Sequence, residues 1–463
     1  MIDSQIIFSA YNDKENFRKV YASAYRYEID MIIHRVSPGE TIASLSRIYG
    51  IPEKMLMTDN GISANQALIP GQELVILIPD VTYTVKQGDS LYSIAQNYNT
   101  TVKQLLADNP GLEGNPMLYP GQTIIISYSG AKSRDIIVNG YAYPFIDEQV
   151  LRTILPYLTY LTVFTYGFKE TGELIPADDE RIISIAQSYG VEALLLISTL
   201  GEDGRFNNQL SSRLFNDANA QEILINNLLN VLNEKGYSGV EVDFEFVPRE
   251  DANRYVIFLT KLSAALKNNG YKLFVALAPK TSADQPGLLY EGHDYGAIGA
   301  VADYVILMTY EWGYKFGPPG AVAPVRSVEN VVRYAITEIS PDKILLGIPN
   351  YGYDWPLPFA AGQTEAEGIS IETAVDRARE VGSEIEYDEQ SQAPYYYYTA
   401  NGTEHVVWFE NAQSIAEKLE LVNKYKKQLE LYQEALEQSF NKKVSKKYIY
   451  STCLGQAIEI QEN

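Results

Sequence analysis

Apolar and acidic side chains alternate along residues 239–247 (GVEVDFEFV), which is the pattern of a β-strand with one apolar face. On either side, at 216–235 and 253–268, the apolar residues recur every three or four positions, as in amphipathic helices that end near a glycine. A strand between two helices is typical of a parallel sheet, in which both faces are covered. We therefore expect that the acidic face of this strand does not simply point into bulk solvent.

The alternation of strand and helix continues through most of the second half of the chain. Seven apolar strands with helical patterns between most of them predict an α/β fold of the (β/α)8 TIM-type barrel class rather than an open doubly wound sheet. No GxGxxG or GxxxxGK[ST] pattern follows a strand, which excludes the nucleotide-binding alternatives. The predicted strands are 135–143, 160–168, 192–199, 239–247, 272–279, 303–310 and 344–351, and further helices are predicted at 177–190 and 327–339.

The first part of the chain contains an internal repeat. Residues 34–60 align with 83–109 at an offset of 49, and IPGQELVILIP at 69–79 aligns with YPGQTIIISY at 119–128 at an offset of 50. Each copy has the pattern strand, helix, helix, strand, which predicts a small α+β (βααβ) module. Two tethered copies indicate avidity for a repetitive ligand.

These patterns divide the chain of 463 residues into four parts. Residues 1–30 fit neither copy of the repeat and form an unassigned N-terminal extension. The two modules take 31–80 and 81–129. The barrel takes 134–463, and its C-terminus is atypical after residue 425.

The composition excludes several classes of partner and cofactor. With 59 acidic and 37 basic residues the formal net charge is −22, and no block of lysine and arginine occurs, so we expect no nucleic-acid partner. A single cysteine, Cys453, excludes an internal disulfide framework and a thiolate metal cluster, and only three histidines are present. We therefore expect no metal site and no cofactor, and chemistry carried by carboxylates, phenols and amides.

The sequence shows no apolar run long enough to cross a membrane, so no membrane partner is expected. Its start, MIDSQIIFSAYNDKENF, lacks the basic and apolar regions of a secretory signal. We therefore expect synthesis as a soluble cytosolic chain. A protein of this kind that acts outside the cytoplasm must reach its substrate by another route.

Three carboxylates, Glu241, Asp243 and Glu245, occupy every second position of the strand predicted at 239–247. The simple alternative is a half-buried strand that turns its acids to water. In a barrel the acids would face the interior, with Glu245 nearest the C-terminal end, where catalytic groups cluster. Carboxylates two residues apart are roughly 6.6 Å apart, so in a partly desolvated site at least one pKa should rise. A carboxylic acid that stays protonated at neutral pH is the general acid that glycosidic cleavage requires. The alternating apolar residues that we expect to pack under the helices are Val240, Val242, Phe244 and Phe246.

The two repeated modules resemble LysM domains. The resemblance rests on the GET and GDS starts at 39–41 and 88–90, on the DN pairs, and on the PGQ turns before the last strand. It covers both copies from end to end. The resemblance implies binding of glycans that contain N-acetylglucosamine, as in peptidoglycan or chitin. A generic α+β spacer is the simpler alternative.

The acidic strand, read as SGVEVDFE, resembles the DGxDxDxE signature of glycoside hydrolase family 18. The last two acids match, whereas Ser238 and Glu241 stand where the family has aspartates. In the sixth strand MTYEW at 308–312 is similar to the family's MxYD, with Glu311 in place of the aspartate, and the seventh strand adds IPNYGY at 348–353. In the third strand LLISTLG is a looser match to SxGG.

The resemblance implies retaining, substrate-assisted chemistry, in which the 2-acetamido oxygen of the sugar attacks the anomeric carbon. Glu245 would protonate the leaving oxygen and later activate water. Asp243 would orient the acetamido nitrogen, and Tyr310 would hydrogen-bond the acetamido group, although a tyrosine packed at the barrel rim is the simpler interpretation. Glu241, deeper in the barrel, would influence the protonation of Asp243 and Glu245. The other side chains expected around the substrate, as hydrogen-bonding or stacking groups or as packing, are Glu311, Trp312, Tyr351, Tyr353 and Trp355.

Two LysM-like modules before such a barrel resemble the spore-cortex-lytic N-acetylglucosaminidases of spore-forming bacteria. The segments GYAYPF and MTYEWGYKFGPPGAVAPV fit that subgroup rather than the chitinases. The resemblance implies cleavage of β-1,4 bonds after N-acetylglucosamine in cortex peptidoglycan, because a muramic lactam has lost the acetyl group that the mechanism needs. It also implies a location in the spore cortex or coat, after synthesis in the mother-cell cytoplasm without a signal peptide.

The resemblance fails near the C-terminus. The family's last strand ends in a tryptophan under the reacting sugar, but no tryptophan follows Tyr425. A helix is predicted at 429–440 and a substitute eighth strand at 448–451. A catalytically impaired, glycan-binding spore protein is therefore the first alternative to an active enzyme. A chitinase is the second, although the segment between Trp355 and Phe409 is short for the wall domain of processive chitinases.

Overall fold

The computed structural model describes residues 31–129 and 136–421, together with two strands at 447–451 and 456–460. The expected extension before residue 31 and the helix expected at 429–440 lie outside the described residues. The described parts form two small modules, a curled parallel sheet covered by helices, and an antiparallel sheet that follows it.

Each module folds as strand, helix, helix, strand, as the repeat predicts. Its first and last strands pair antiparallel, and its helices pack on them around a small apolar core. The first module consists of β1 (Met31–Arg35), α1 (Ile42–Tyr49), α2 (Glu53–Asn60) and β2 (Glu73–Leu77), and the second of β3 (Pro79–Thr84), α3 (Leu91–Asn97), α4 (Val102–Asp108) and β4 (Thr123–Tyr128).

Two local devices explain why both copies of the repeat fold in the same way. Thr41 and Ser90 cap the first helix of each module through a capping box with the serine three residues later. The buried Asn60 donates to two backbone carbonyls, one of them at Val75, and accepts a hydrogen bond from the Val75 amide. Asn109 repeats these three bonds in the second module. The asparagine of the DN pair therefore ties the second helix to the last strand.

Seven parallel strands form the main sheet, in which each strand pairs with the next parallel strand along the chain. All seven predicted strands are present, and most end earlier than predicted. The short β7 pairs antiparallel with the end of β6. In chain order the elements are β5 (Asn139–Ala142), α5 (Glu148–Ile154), β6 (Tyr160–Phe168), β7 (Leu174–Ile175), α6 (Glu180–Ser188), β8 (Glu192–Ser198), α7 (Gln209–Asn216), α8 (Ala218–Lys235), β9 (Gly239–Asp243), α9 (Ala252–Asn268), β10 (Lys272–Leu277), α10 (Tyr295–Val301), β11 (Tyr304–Leu307), α11 (Val325–Glu338) and β12 (Ile344–Leu346).

The main core lies between this sheet and its helices. Val240, Val242 and Phe244 are fully buried in it, as the alternation predicts. The prediction for Phe246 is wrong, because the chain turns after β9 and gives this residue a left-handed backbone, with φ of 54°. Phe246 is half-buried, and Val247 occupies the buried position instead.

An antiparallel sheet of five strands with one helix follows β12, and we call it the insertion. The prediction of a single strand over 344–351 is wrong, since β12 ends at Leu346 and Tyr351 begins a strand of the insertion. After the insertion, residues 412–421 are helical. The insertion consists of β13 (Tyr351–Leu357), β14 (Glu367–Ser370), α12 (Ile371–Val381), β15 (Glu386–Asp388), β16 (Ala393–Ala400) and β17 (Thr403–Trp408), and short 3-10 helices occur at Pro110–Leu112, Leu155–Tyr157, Arg249–Asp251 and Pro341–Lys343.

The last two described strands, β18 (Lys447–Ser451) and β19 (Gln456–Ile460), pair antiparallel with each other. The strand predicted at 448–451 is thus present, but the prediction that it replaces the eighth barrel strand is wrong. Over the described ranges no further parallel strand joins β5 to β12, so the main sheet is a curled, open TIM-like half-barrel.

Candidate active site

Strand β9 carries three carboxylates to the C-terminal edge of the parallel sheet, the edge at which (β/α)8 folds place their active sites. Glu241 lies within the strand, Asp243 is its last residue, and Glu245 follows two residues later. All three line one cavity. Strands β5, β6, β8, β10 and β11, or the residues just after them, supply the other lining residues, which are Tyr141, Phe164, Leu196, Ala276, Ile306, Met308 and Tyr310.

Glu241 forms the floor of the cavity and is 1% exposed. The Tyr141 hydroxyl donates to its Oε1 at 2.7 Å, and the Thr162 hydroxyl donates to its Oε2 at 2.9 Å. Burial raises the pKa of Glu241 to about 7, against the lowering effect of these hydrogen bonds. Near neutral pH this carboxyl group therefore exchanges readily between its charged and neutral forms.

Asp243 and Glu245 are half-buried on the cavity wall above Glu241. Burial raises the pKa of both carboxyl groups, and the negative charges of Asp243 and Glu311 raise the pKa of Glu245 further. The Oδ1 atom of Asp243 is buried without a hydrogen-bond partner among the described residues. The site therefore combines a carboxyl group that holds its proton at neutral pH with a second carboxylate that has a free acceptor atom.

Tyr310, three residues beyond the end of β11, lines the same cavity. Burial and the nearby carboxylates Asp243 and Glu245 hold its pKa well above the ordinary value, so its hydroxyl stays protonated and can donate a hydrogen bond. A Cβ atom on Gly347 would lie 2.6 Å from the Tyr310 ring, so only glycine there leaves room for the ring. The structure thus brings Tyr310 to the three carboxylates, as expected from the sequence.

Glu311 lies next to the cavity in a left-handed backbone conformation, with φ of 66°. Its Oε1 accepts hydrogen bonds from the Tyr351 hydroxyl at 2.6 Å and from the Tyr353 hydroxyl at 2.9 Å. Burial raises the pKa of Glu311. These bonds connect the end of β11 to β13 and hold the Glu311 carboxylate close enough to influence Glu245.

The aromatic side chains that we expected around the substrate differ in exposure. Trp312 is half-buried, and Tyr351 and Tyr353 keep only a small exposed area. For Trp355, of the two roles left open by the sequence, the structure favours packing, because the indole is 0% exposed and donates its N–H to the Gly317 carbonyl at 3.0 Å. Trp355 is therefore a packing residue in this structure and offers no face to a sugar.

Several residues that contact Glu241 were not predicted as site residues from the sequence. Tyr141 lies on β5 and Thr162 on β6, and both point to the same interior as the acids of β9. Asn139 of β5 adds a longer contact to Glu241 Oε2 at 3.4 Å. Positions 139 and 141 are two residues apart, so the period-two rule applied to the first strand would have found them.

A buried histidine supports the end of β9 from behind the cavity. His293 Nδ1 accepts from the Ala278 amide at 2.9 Å, so its Nε2–H donates to the Phe244 carbonyl at 3.0 Å. Burial lowers the pKa of His293 to about 4, and the ring is neutral at physiological pH. His293 thus ties the chain just before Glu245 to the end of β10.

The described ranges contain neither a cluster of metal-ligating side chains nor a membrane-spanning helix. No group of three histidine, cysteine, aspartate or glutamate side chains is arranged to hold a metal ion. In those same ranges no helix is long and apolar enough to span a membrane.

Comparison with known families agrees with the fold and the cavity. The model of the glycosyl hydrolases family 18 matches residues 147–428, and the LysM model matches 34–77 and 83–127. The chain belongs to family 18 of the glycosyl hydrolases and is a glycoside hydrolase with two LysM modules. The family and the fold class expected from the sequence are therefore confirmed.

Its relatives include enzymes of bacterial spores. The chain is 37% identical over 394 residues to the cortical fragment-lytic enzyme of Bacillus subtilis (strain 168), over 73% of this chain and 91% of the relative. It is 32% identical over 400 residues to the putative sporulation-specific glycosylase YdhD of the same organism, over 86% and 94%. The crystal structure of the Bacillus megaterium QM B1551 spore cortex-lytic enzyme SleL superposes with a TM-score of 0.72 at 33% identity, covering 86% of this chain and 93% of the other.

Proposed function

We propose that the protein hydrolyses spore-cortex peptidoglycan at β-1,4 glycosidic bonds after N-acetylglucosamine, with retention of configuration. The observation that carries this proposal is the cavity in which Glu245 keeps a raised pKa beside Asp243 and Tyr310. A general acid for glycoside cleavage must be protonated at neutral pH, and burial in this cavity supplies that condition.

In the proposed first step Glu245 gives its proton to the leaving oxygen as the glycosidic C–O bond breaks. The acetamido oxygen of the reacting sugar bonds to the anomeric carbon and forms an oxazolinium ion. Asp243, with its free Oδ1, accepts the acetamido N–H and stabilises the positive charge. Glu245 then takes a proton from water, whose oxygen opens the ring at the anomeric carbon, so one water is consumed for each bond cleaved.

The other groups position the sugar and set the charge of the site. The protonated Tyr310 donates to the acetamido oxygen, and Glu241 below Asp243 exchanges a proton with the site near neutral pH. Glu311 holds the pKa of Glu245 up through its charge. Trp312, Tyr351 and Tyr353 contact the sugar at the cavity mouth in this proposal.

The proposed substrate and location follow from the modules and the relatives. LysM modules bind peptidoglycan or other glycans that contain N-acetylglucosamine, and relatives over most of the chain are named for the spore cortex. We therefore place the protein in the spore cortex or coat, after synthesis in the mother cell. Domain limits at 31–80, 81–129 and 134–463, and the absence of a nucleic-acid partner, stay predictions.

A glycan-binding protein with impaired catalysis is a second candidate, and the open sheet favours it. In the described residues no strand closes the gap between β5 and β12, and the three tryptophans of the chain all precede residue 409. A sugar bound in the cavity would lack the tryptophan platform that the family supplies there.

The test is mass spectrometry of muropeptides released from purified spore cortex by the full-length protein, by Glu245→Gln, and by Glu180→Gln. Glu180 is an exposed glutamate on α6 and serves as the matched control. The proposal expects reducing-end N-acetylglucosamine products from the parent and Glu180→Gln only. Release by Glu245→Gln would refute the assigned acid, whereas binding without release by the parent would favour the second candidate. Colloidal chitin treated in parallel separates a chitinase from a cortex hydrolase.

A further inference from the structure

The two LysM modules share one turn but place it in different surroundings. The Pro-Gly-Gln turn precedes the last strand of both, and its glycine has a left-handed backbone in both, with φ of +82° at Gly71 and +87° at Gly121. In both modules the glycine amide donates to the end of the first strand, at 2.9 Å to the Val36 carbonyl and 2.8 Å to the Val85 carbonyl. The local structure is therefore the same, and each module is a control for the other.

In the first module this turn is buried against the insertion. A Cβ atom on Gly71 would lie 1.8 Å from the carbonyl oxygen of Ile385. The Ile385 amide in turn donates to the Pro70 carbonyl at 3.0 Å. Ile69, just before the turn, is 7% exposed and belongs to the main core of the barrel. The turn of the first module is thus part of an internal interface.

Further hydrogen bonds fix the same interface. The Arg379 guanidinium donates through Nε to the Ala67 carbonyl at 2.8 Å. The backbone N–H of Gln413 donates to Glu73 Oε2 at 2.8 Å. Since these bonds lie on both sides of the turn, they restrict rotation of the first module on the barrel.

The second module is docked by another face. The Tyr157 hydroxyl donates to the Ala107 carbonyl at 3.0 Å, and the Tyr189 hydroxyl donates to the Gly114 carbonyl at 2.5 Å. These contacts involve α4 and the loop after it, away from the Pro-Gly-Gln turn. A Cβ atom on Gly121 would meet nothing within 4 Å, so this turn is open to solvent.

Two large side chains beside the open turn are exposed, whereas the first module has a small residue and a buried one at these positions. Met117 is 61% exposed and Tyr119 is 65% exposed. At the offset of 50 their counterparts are Ala67 and Ile69, of which the first is small and the second is buried. An exposed tyrosine with an exposed methionine two residues away is suited to packing against the apolar face of a sugar.

We propose that the two modules have divided roles. The first module anchors both modules to the insertion. The second module binds the N-acetylglucosamine-containing glycan through Tyr119 and Met117, which we call the Tyr119 surface. This inference rests on the proposed function, because it takes the ligand to be the same glycan. Both modules are fixed to the barrel, so the glycan is held at a constant position relative to the catalytic cavity. One rigid site then replaces the two tethered sites that the repeat predicts.

The first test measures binding of the full-length protein to insoluble chitin by co-sedimentation, in the Glu245→Gln background so that the probe is not cleaved. Tyr119→Ala should weaken binding about fivefold or more, which corresponds to the loss of about 1 kcal/mol from one aromatic contact. Two controls remove exposed side chains elsewhere, Ile48→Ala in the first module and Tyr397→Ala in the insertion. Both controls should bind like their parent.

The second test compares Gly71→Ala with Gly121→Ala, measured by hydrogen exchange of the Ile385 amide and by Tm. Both changes strain a left-handed residue, but only Gly71→Ala meets a backbone oxygen. Gly71→Ala should therefore give faster exchange at Ile385 and a lower Tm than Gly121→Ala, while its chitin affinity is kept. The inference is overturned if Tyr119→Ala binds like its parent, or if Gly71→Ala loses as much affinity as Tyr119→Ala.

Hydrolysis of a soluble, chromogenic N-acetylglucosamine oligomer separates this inference from the proposed catalysis. With catalytically intact protein, the exposed-site control Glu180→Gln should cleave the oligomer at the parental rate, so that the rate reports on the cavity alone. If the parent cleaves nothing but still binds chitin through Tyr119, the proposed activity fails and the division of roles stands. If the parent does not bind chitin at all, the division of roles fails whatever the rate of cleavage.

Discussion

Replacing Glu311 by glutamine should lower the pKa of Glu245. Burial raises that pKa, and the negative charges of Asp243 and Glu311 raise it further. Glutamine keeps the length of the side chain and an oxygen that can accept from the Tyr351 and Tyr353 hydroxyls. The substitution therefore removes one negative charge with little change in packing.

The size of the effect follows from the strand order. Strand β10 lies between β9 and β11, so the ends of β9 and β11 are two strand spacings, or roughly 9.6 Å, apart. At an effective dielectric constant of about 20, a unit charge at that separation contributes about 1.7 kcal/mol, or about 1.3 pKa units. The full effect requires an ionised Glu311, whose own pKa is raised by burial, so it is expressed on the alkaline side of the profile.

The assay is the pH dependence of kcat/KM on a soluble N-acetylglucosamine oligomer. The proposed acid Glu245 must be protonated in the free enzyme, so kcat/KM falls as the pH rises through its pKa. In Glu311→Gln this alkaline limb should move to lower pH by about 1 unit, whereas the exposed-site control Glu180→Gln should match the parent. An alkaline limb that stays in place, or moves to higher pH, would refute the assignment of Glu245 as the group under the influence of Glu311.

Three further predictions concern the pKa of Glu241, the pKa of His293 and the removal of metal ions. Tyr141→Phe removes a donor from Glu241, so the pKa of Glu241 should rise from about 7 by roughly 1 unit in a carbon-13 NMR titration; an unchanged pKa would contradict the role of the bond. The pKa of His293 is lowered from 6.5 to about 4 in the folded protein, so between these pH values the unfolded chain binds more protons than the folded one. The stability that is present above pH 6.5 is therefore lost as the pH falls from 6.5 towards 4. His293→Asn should therefore show a weaker loss of unfolding free energy between pH 7 and pH 5 in urea titrations, and equal losses would count against it. Dialysis against EDTA should leave hydrolysis unchanged, since no three metal-ligating side chains converge in the described residues; a loss that added metal restores would contradict this.

The sequence predicted β9 and its buried face because that prediction needs only a period of two. Helices cover this face of the parallel sheet, and Val240, Val242 and Phe244 are therefore buried under them. The same rule failed at Phe246, where a left-handed backbone ends the alternation. No residue type at that position announces such a turn, since phenylalanine is not among the residues that favour it.

The candidate site was predicted in part for a similar reason. The acids of β9 and Tyr310 meet because the C-terminal ends of parallel strands lie at one edge of the sheet. The period-two rule places Tyr141 on the inward face of β5, but its contact with Glu241, like that of Thr162, reaches across the curled sheet from strands that do not pair with β9, and the local pattern does not show such a contact. For Trp355 the sequence left stacking and packing open, because an aromatic residue in a strand has the same sequence pattern whether it is packed or exposed.

The open edge of the sheet bears on substrate binding more than on proton transfer. Strand β9 is the central strand, with three parallel strands on each side, so Asp243 and Glu245 are held without closure of the barrel. Among the described strands the gap lies between β5 and β12, and a missing platform there would weaken the hold on the sugar ring. Measurable turnover with a high KM would therefore indicate an enzyme with a weakened sugar site. No turnover at saturating substrate, with glycan binding intact, would mean that the ring is no longer held in a reactive geometry.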